Sequence, residues 1–422
     1  MDPVIIRRAK EVWGEFHAPP SKSYTHRAFL AGALADGVSH AGGPLESADT
    51  HVTRSALSSM GVSFVPDSDG FIIRGTHGTL LCPEPPVLDM VESGTSLRLL
   101  MSVALLCPCP VTLTGGPRMR ERPVGDLAAS LQSLGANVRY SGRQGCPPVT
   151  VSGPVKGGEV CIAGTTSSQF ISSILMTAPC WDAGAVVRVS GEPVSASYLD
   201  ITIDVMERFG VPVSRQGYHE FCVFPGHGYK AAAYHVEGDY SSASYLFAAA
   251  AVAGGKVTGF NLNPDSVQGD RAFLDRLRDM GCQVIAGPDR TILESDGYLE
   301  GIEADMSSAP DTVPTLCAVA ACASSPSRIS GVAHLRFKES DRIHKMGEIL
   351  RACGVGYEDT GDSITITPGP LRGVTVDPAN DHRIAMSAAV LGLKTGGMKI
   401  LDPGCVSKSY PGFFPDFTKV IR

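Results

Sequence analysis

Residues 57–64 read LSSMGVSF, and the pattern returns as LQSLGANV at 131–138, MERFGVPV at 206–213, LRDMGCQV at 277–284 and LRACGVGY at 350–357. Each copy has the layout of a last helical turn, a glycine just past the helix end, and a strand start. The glycines Gly61, Gly135, Gly210, Gly281 and Gly354 are spaced by 74, 75, 71 and 73 residues. A short strand-like stretch follows each copy: FIIRG, VTVSG, FCVFPG, TILESDG and ITITPG.

A second unit recurs six times. An apolar, small-residue helix runs into a strand that closes on Gly43, Gly115, Gly191, Gly259, Gly331 or Gly404, at intervals of 72, 76, 68, 72 and 73 residues. These helices, such as SYLFAAAAVAGG and PTLCAVAACASS, are apolar most of the way round, so they should be buried. Repeats of this period imply stacked copies of one supersecondary unit. The expected fold class is α/β: two inside-out α/β domains, each of three βαβαββ repeats, hinged with the active site in the cleft between them. Residues 21–236 would form the first domain, and 237–422 with 1–20 the second. The sixth copy would be completed by joining the C-terminal FPDFTKVI to the N-terminal VIIRRA strand.

The 422 residues are too many for one simple core, in keeping with two domains. A net charge of −7 and a pI near 5.9 argue against nucleic acid as a partner. No apolar run approaches the roughly 20 residues of a membrane span, and MDPVIIRRAKEVWG lacks a signal-peptide layout. The twelve cysteines are scattered with no C-x-x-C pair, so they are expected to be reduced small hydrophobes of a cytoplasmic protein. No metal-ligand spacing, Walker loop or dinucleotide fingerprint occurs, so neither a metal nor a cofactor is expected.

The stretches before the six buried helices are PPSKSYTHR, ESGTSLR, TTSSQF, GDYSSAS, SSAPDT and NDHR. Ser, Thr and Asp here are ordinary N-caps. A helix N-terminus also presents unpaired N–H groups and a partial positive charge, which suit phosphates and carboxylates. Further cations stand at equivalent corners of the repeat: Arg118, Arg120 and Arg122 in GGPRMRERPV, the run RFKESDRIHK at 336–345, and Lys408 in CVSKSYPG. A charge run is usually a wet face, but this placement argues otherwise. Lys22, Arg27, Arg98, Arg122, Lys338, Arg342, Arg383 and Lys408 could offset the repulsion between two anionic ligands. Asp311 and Glu339 have no use in binding anions and suit proton transfer.

PSKSYTHRA, ESGTSLR, GGPRMRERPV, SSQF, HVEGDYSSAS, KESDR, NDHRIAM and LDPGCVSKSYP resemble, in order, the signatures of the 5-enolpyruvylshikimate-3-phosphate synthase family of enolpyruvyl transferases. The resemblance covers essentially the whole chain. It implies a monomer that transfers the enolpyruvyl group of phosphoenolpyruvate to the 5-hydroxyl of shikimate 3-phosphate, on the route to chorismate and the aromatic amino acids. It implies catalytic roles for Asp311, Glu339, Lys22 and Lys338. Shikimate 3-phosphate would be held by Lys22, Ser23, Arg27, Ser167, Ser168, Gln169, Ser195, Tyr198, Asp311, His334 and Lys338. Phosphoenolpyruvate would be held by Lys22, Gly94, Arg122, Gln169, Arg342, Arg383 and Lys408. Glu339 would be the acid, although Lys338 and Arg342 beside it should lower its pKa. Glu92, His26 and His334 stand where the family often has asparagine. UDP-N-acetylglucosamine enolpyruvyl transferase shares the donor but matches less well at PSKS and KESDR, and a non-catalytic anion-binding relative would not need both carboxylates.

Overall fold

The structure, a computed structural model, describes residues 2–422. The chain divides into two compact units, residues 21–236 and residues 237–422 with 1–20. Each encloses one continuous apolar core.

The opening motif reads as predicted. All five repeat glycines lie in the left-handed region, at φ between 81° and 107°. A side chain there would strain the backbone, which is why glycine ends each helix before the strand begins. Each motif feeds an antiparallel hairpin, such as Ser63–Asp67 with Gly70–Arg74. The hairpin then pairs with the strand following the preceding inner helix, as Gly70–Arg74 does with Val38–Gly42.

Six small sheets result, five of four strands and one of three. In the unit 21–236 the inner helices are Lys22–Leu34, Gly94–Val103 and Ser168–Thr177. In the other unit they are Tyr240–Ala253, Val313–Ala320 and His382–Thr395, and these three pack on one another. The apolar circumference read from sequence is borne out: all but one residue of Tyr240–Ala253 is buried. Alanine and glycine allow that close approach at little side-chain entropy cost.

Two strands come from outside their own repeat. Val12–His17 pairs in parallel with Gly255–Phe260, and Ala233–His235 pairs in parallel with Val38–Gly42. The sixth copy differs from expectation. FPDFTK is a helix, Phe413–Lys419, rather than a strand. Val4–Ile6 pairs antiparallel with Met398–Ile400, and its sheet stops at three strands. The chain contributes only one strand where the other copies supply a hairpin, so the fourth position stays unfilled.

Cys82 and Cys109 are joined in a disulfide, contrary to the expectation of uniformly reduced cysteines. Their α-carbons, 5.9 Å apart, come from two loops separated by 27 residues, a proximity that spacing does not reveal. The other ten cysteines are unpaired. No described helix is long and apolar enough to cross a membrane.

Candidate active site

In the unit 21–236 the helix starts are tied together by side chains. Lys22, in the first turn of Lys22–Leu34, contacts Asp49 Oδ2 at 3.1 Å. Asp49 sits in the first turn of Ala48–Ser59, which Ser47 caps through a reciprocal Ser–Thr capping box with Thr50. His26 Nδ1 meets Thr53 Oγ1 at 2.7 Å, Thr53 meets Ser96 at 2.8 Å, and Ser96 meets the cap residue Ser93 at 2.6 Å. Burial, reinforced by Lys22 and Arg27, keeps His26 neutral by pushing its pKa well below the usual value. His26 is thus an internal hydrogen-bonding group.

Arg27 lies under this surface. It donates from Nε to Thr202 Oγ1 at 2.8 Å, from Nη1 to the Ser23 carbonyl at 2.9 Å, and from Nη2 to the Tyr198 carbonyl at 3.2 Å. Burial lowers its pKa to about 10, so it remains charged at neutral pH. Ser195, close by in sequence to Tyr198, is buried and holds a left-handed φ of 56°. Non-glycine residues in that region cluster at functional sites.

The third helix start carries Ser167, Ser168 and Gln169. Ser167 caps it by accepting from the Gln169 N–H. Arg98 Nη1 donates to Gln169 Oε1 at 2.9 Å and to Ser167 Oγ at 3.3 Å, while Gln169 Nε2 donates to Thr95 Oγ1 at 3.0 Å. Arg122 is buried, and its guanidinium presses on Gly94 so closely that a β-carbon there would collide with it. Glu92 packs its carboxylate on Gly116 in the same way.

In the other unit Arg342 is the hub. It is 2% exposed and donates from Nε to Asp381 at 2.9 Å, from Nη1 to Asp311 at 3.0 Å and from Nη2 to Glu339 at 2.7 Å. Arg383 takes the other oxygen of Asp311 at 2.7 Å and reaches the Tyr245 hydroxyl at 3.4 Å. Asp381 is the N-cap of His382–Thr395, accepting from the Arg383 N–H and from Ser340 Oγ. One carboxylate therefore fixes both the helix end and Arg342. Burial would raise the Asp311 carboxyl, but Arg383, Lys338 and Arg342 outweigh it and hold the pKa well below the usual range. His334 is buried, and desolvation, then Lys338, drops its pKa to about 3. Lys408 Nζ donates to the Asn380 carbonyl at 2.7 Å, beside the same helix start.

RFKESDRIHK thus divides between two environments. Lys338, Glu339 and Arg342 join the cluster around Asp311. Arg336 pairs with Asp359, and His344 and Lys345 pair with Glu348 at the surface. The sequence gives no role to Asp49 or Asp270, marks Asp381 only as a helix cap, and marks Arg98 only as a cation. Asp270, hydrogen-bonded by Ser241, has a pKa raised to about 7 by burial and by the charge of Asp311. The position of Asp381 at a helix start was the one available signal.

A repeated inside-out α/β fold whose helix starts gather arginines, lysines and acid–base carboxylates defines a class of transferase built for anionic small molecules. The profile of EPSP synthase (3-phosphoshikimate 1-carboxyvinyltransferase) matches residues 6–417. The 3-phosphoshikimate 1-carboxyvinyltransferase of Methanoculleus marisnigri is 55% identical over 97% of each chain, and that of Methanosphaerula palustris is 52% identical over 94% of this chain and 95% of the other. The solved EPSP synthase of Acinetobacter baumannii superposes with a TM-score of 0.81 at 29% identity, covering 99% of this chain and 98% of that one. The chain belongs to the EPSP synthase family.

Proposed function

We propose that this protein transfers the enolpyruvyl group of phosphoenolpyruvate to the 5-hydroxyl of shikimate 3-phosphate, releasing phosphate. The observation that carries this reading is the Asp311–Arg342–Glu339 cluster, in which two carboxylates suited to proton transfer share one buried arginine. Family membership supplies the substrates.

In this reading residues 21–236 form the shikimate-phosphate domain and 1–20 with 237–422 the second domain. Lys22, Ser23, Ser167, Ser168, Gln169, Ser195 and Tyr198 hold shikimate 3-phosphate, with the Arg27 charge beneath them. Asp311, His334 and Lys338 hold its ring. Lys22, Gly94, Arg122, Gln169, Arg342, Arg383 and Lys408 hold phosphoenolpyruvate. The donor's negative charge competes with Asp311 and Glu339 for Arg342 and Arg383. Losing those partners raises the Asp311 carboxyl back toward the usual range and leaves Glu339 free for proton exchange.

Glu339 then protonates the methylene carbon of phosphoenolpyruvate while the 5-hydroxyl oxygen attacks the adjacent carbon and gives its proton to Asp311, with Lys338 assisting. The Glu339 carboxylate then takes a methyl proton back from the tetrahedral adduct as phosphate leaves, which restores the double bond as an enol ether and returns Glu339 to its acid form. Lys22 and the surrounding arginines stabilise the charge that develops on phosphate. No cofactor is invoked. We read the protein as a cytoplasmic monomer, a view supported by its mostly unpaired cysteines and by the family.

Phosphate release measured with phosphoenolpyruvate and each acceptor tests the reading. Turnover with shikimate 3-phosphate and none with UDP-N-acetylglucosamine is expected. The reverse pattern would reassign the acceptor, and binding without turnover would make this a non-catalytic relative.

A further inference from the structure

We infer that the outer face of the first sheet carries a binding site for a divalent transition-metal ion, formed by His40, Asp67 and Asp69. It lies outside the proposed catalytic residues and does not rest on the proposed reaction.

The register creates it. Asp67 pairs with Gly70, Gly70 with Gly42, and Gly42 with His235, one row across four strands. The two central positions have no side chains, so the outer residues can lean over them. His40, two residues before Gly42 on the same strand, projects from the same face. Asp69 comes from the hairpin turn.

Two observations point to an ion. First, the place where a β-carbon of Gly42 would sit is 3.0 Å from His235 Nδ1, 3.1 Å from Asp69 Oδ2 and 3.3 Å from His40 Cε1. Three side chains from three segments converge on a space that one extra carbon would fill. Second, His40 Nε2 is buried and makes no hydrogen bond, although Asp67 Oδ2 lies at 3.4 Å and Asp69 Oδ1 at 3.1 Å. Those separations fit the edges of a coordination tetrahedron. Nitrogen and oxygen ligands about 2.0–2.1 Å from a zinc-like ion lie about 3.3–3.4 Å from one another, off each other's hydrogen-bond axes. The His40, Asp67 and Asp69 ligand atoms all fall within 4.8 Å of one another.

The donor set selects the ion. Imidazole favours zinc, cobalt, nickel or copper over magnesium or calcium, and two carboxylates balance the 2+ charge.

Cobalt(II) is the probe, because its visible absorption separates tetrahedral nitrogen–oxygen coordination from thiolate binding at the ten unpaired cysteines. Titration of the full chain should show one tetrahedral, sulfur-free site with micromolar affinity. His40→Ala and Asp69→Ala should each weaken it at least about 10-fold. Gly42→Ala should do the same by filling the cradle, since its backbone is not left-handed and tolerates alanine. Apo melting temperatures close to that of the parent confirm that each variant folds. No stoichiometric site, a thiolate spectrum, or affinity unchanged in both the His40 and the Asp69 variants would overturn the inference.

Discussion

Glu339 and Asp311 share Arg342, yet the proposed roles separate them. Glu339 donates to carbon, so Glu339→Gln should keep substrate affinity within a few-fold and cut turnover at least ~100-fold. Steady-state kinetics with both substrates checks this, and full activity would remove Glu339 from the mechanism. Gly94 tests a different link. Alanine there would push into the Arg122 guanidinium, so Gly94→Ala should raise KM for phosphoenolpyruvate roughly 10–100-fold with a smaller effect on KM for shikimate 3-phosphate. His334 offers a pH test. Its pKa falls from 6.5 in the unfolded chain to about 3 in the fold, so between these values the unfolded chain binds the extra proton. Stability contributed by His334 is therefore lost as pH falls from 6.5 toward 3, at up to about 1.4 kcal/mol per pH unit. Asp270, raised to about 7, has the opposite sign over pH 4–7, so only the difference between parent and His334→Asn isolates the histidine. Urea midpoints at pH 7 and pH 5 should show a smaller acid loss in the variant, and equal losses would contradict the assignment.

The helix starts were legible because capping is local: Ser93, Ser167, Asp239 and Asp381 each accept from a backbone N–H of the first turn. The repeat glycines were legible for the same reason, since a left-handed residue leaves its mark at one position. What escaped was pairing over distance. The contact of Asp49 with Lys22 spans 27 residues and that of Asp381 with Arg342 spans 39, so no local pattern records either. The end of the sixth copy misled because FPDFTKVI carries aromatics that suit strand or helix. The packing of Phe413 and Phe417 into the core selects the helix. Caps also differ in what they hold. Ser93→Ala removes a cap and one uncharged hydrogen bond, to Ser96, and should cost about 1–2 kcal/mol. Asp381→Ala also strips a buried partner from Arg342 and should cost about 3–5 kcal/mol. Chemical denaturation of both variants measures the contrast, and equal losses would mean that Asp381 acts only as a cap.

Across the whole molecule, an acidic chain of net charge −7 buries two of its cations, Arg342 and Arg383, in first helical turns, where backbone dipoles already favour anions. Repetition explains how this arises: one module places a helix start, a strand and a polar corner, and six copies multiply the corners. The proposed site residues lie where the modules vary, while the glycines lie where they agree. The proposed conversion is observed directly by incubating the protein with phosphoenolpyruvate and shikimate 3-phosphate in excess chelator and following phosphorus resonances. Equimolar growth of inorganic phosphate and 5-enolpyruvylshikimate 3-phosphate is the predicted result. Unchanged phosphoenolpyruvate, or phosphate formed without the enol ether, would contradict it.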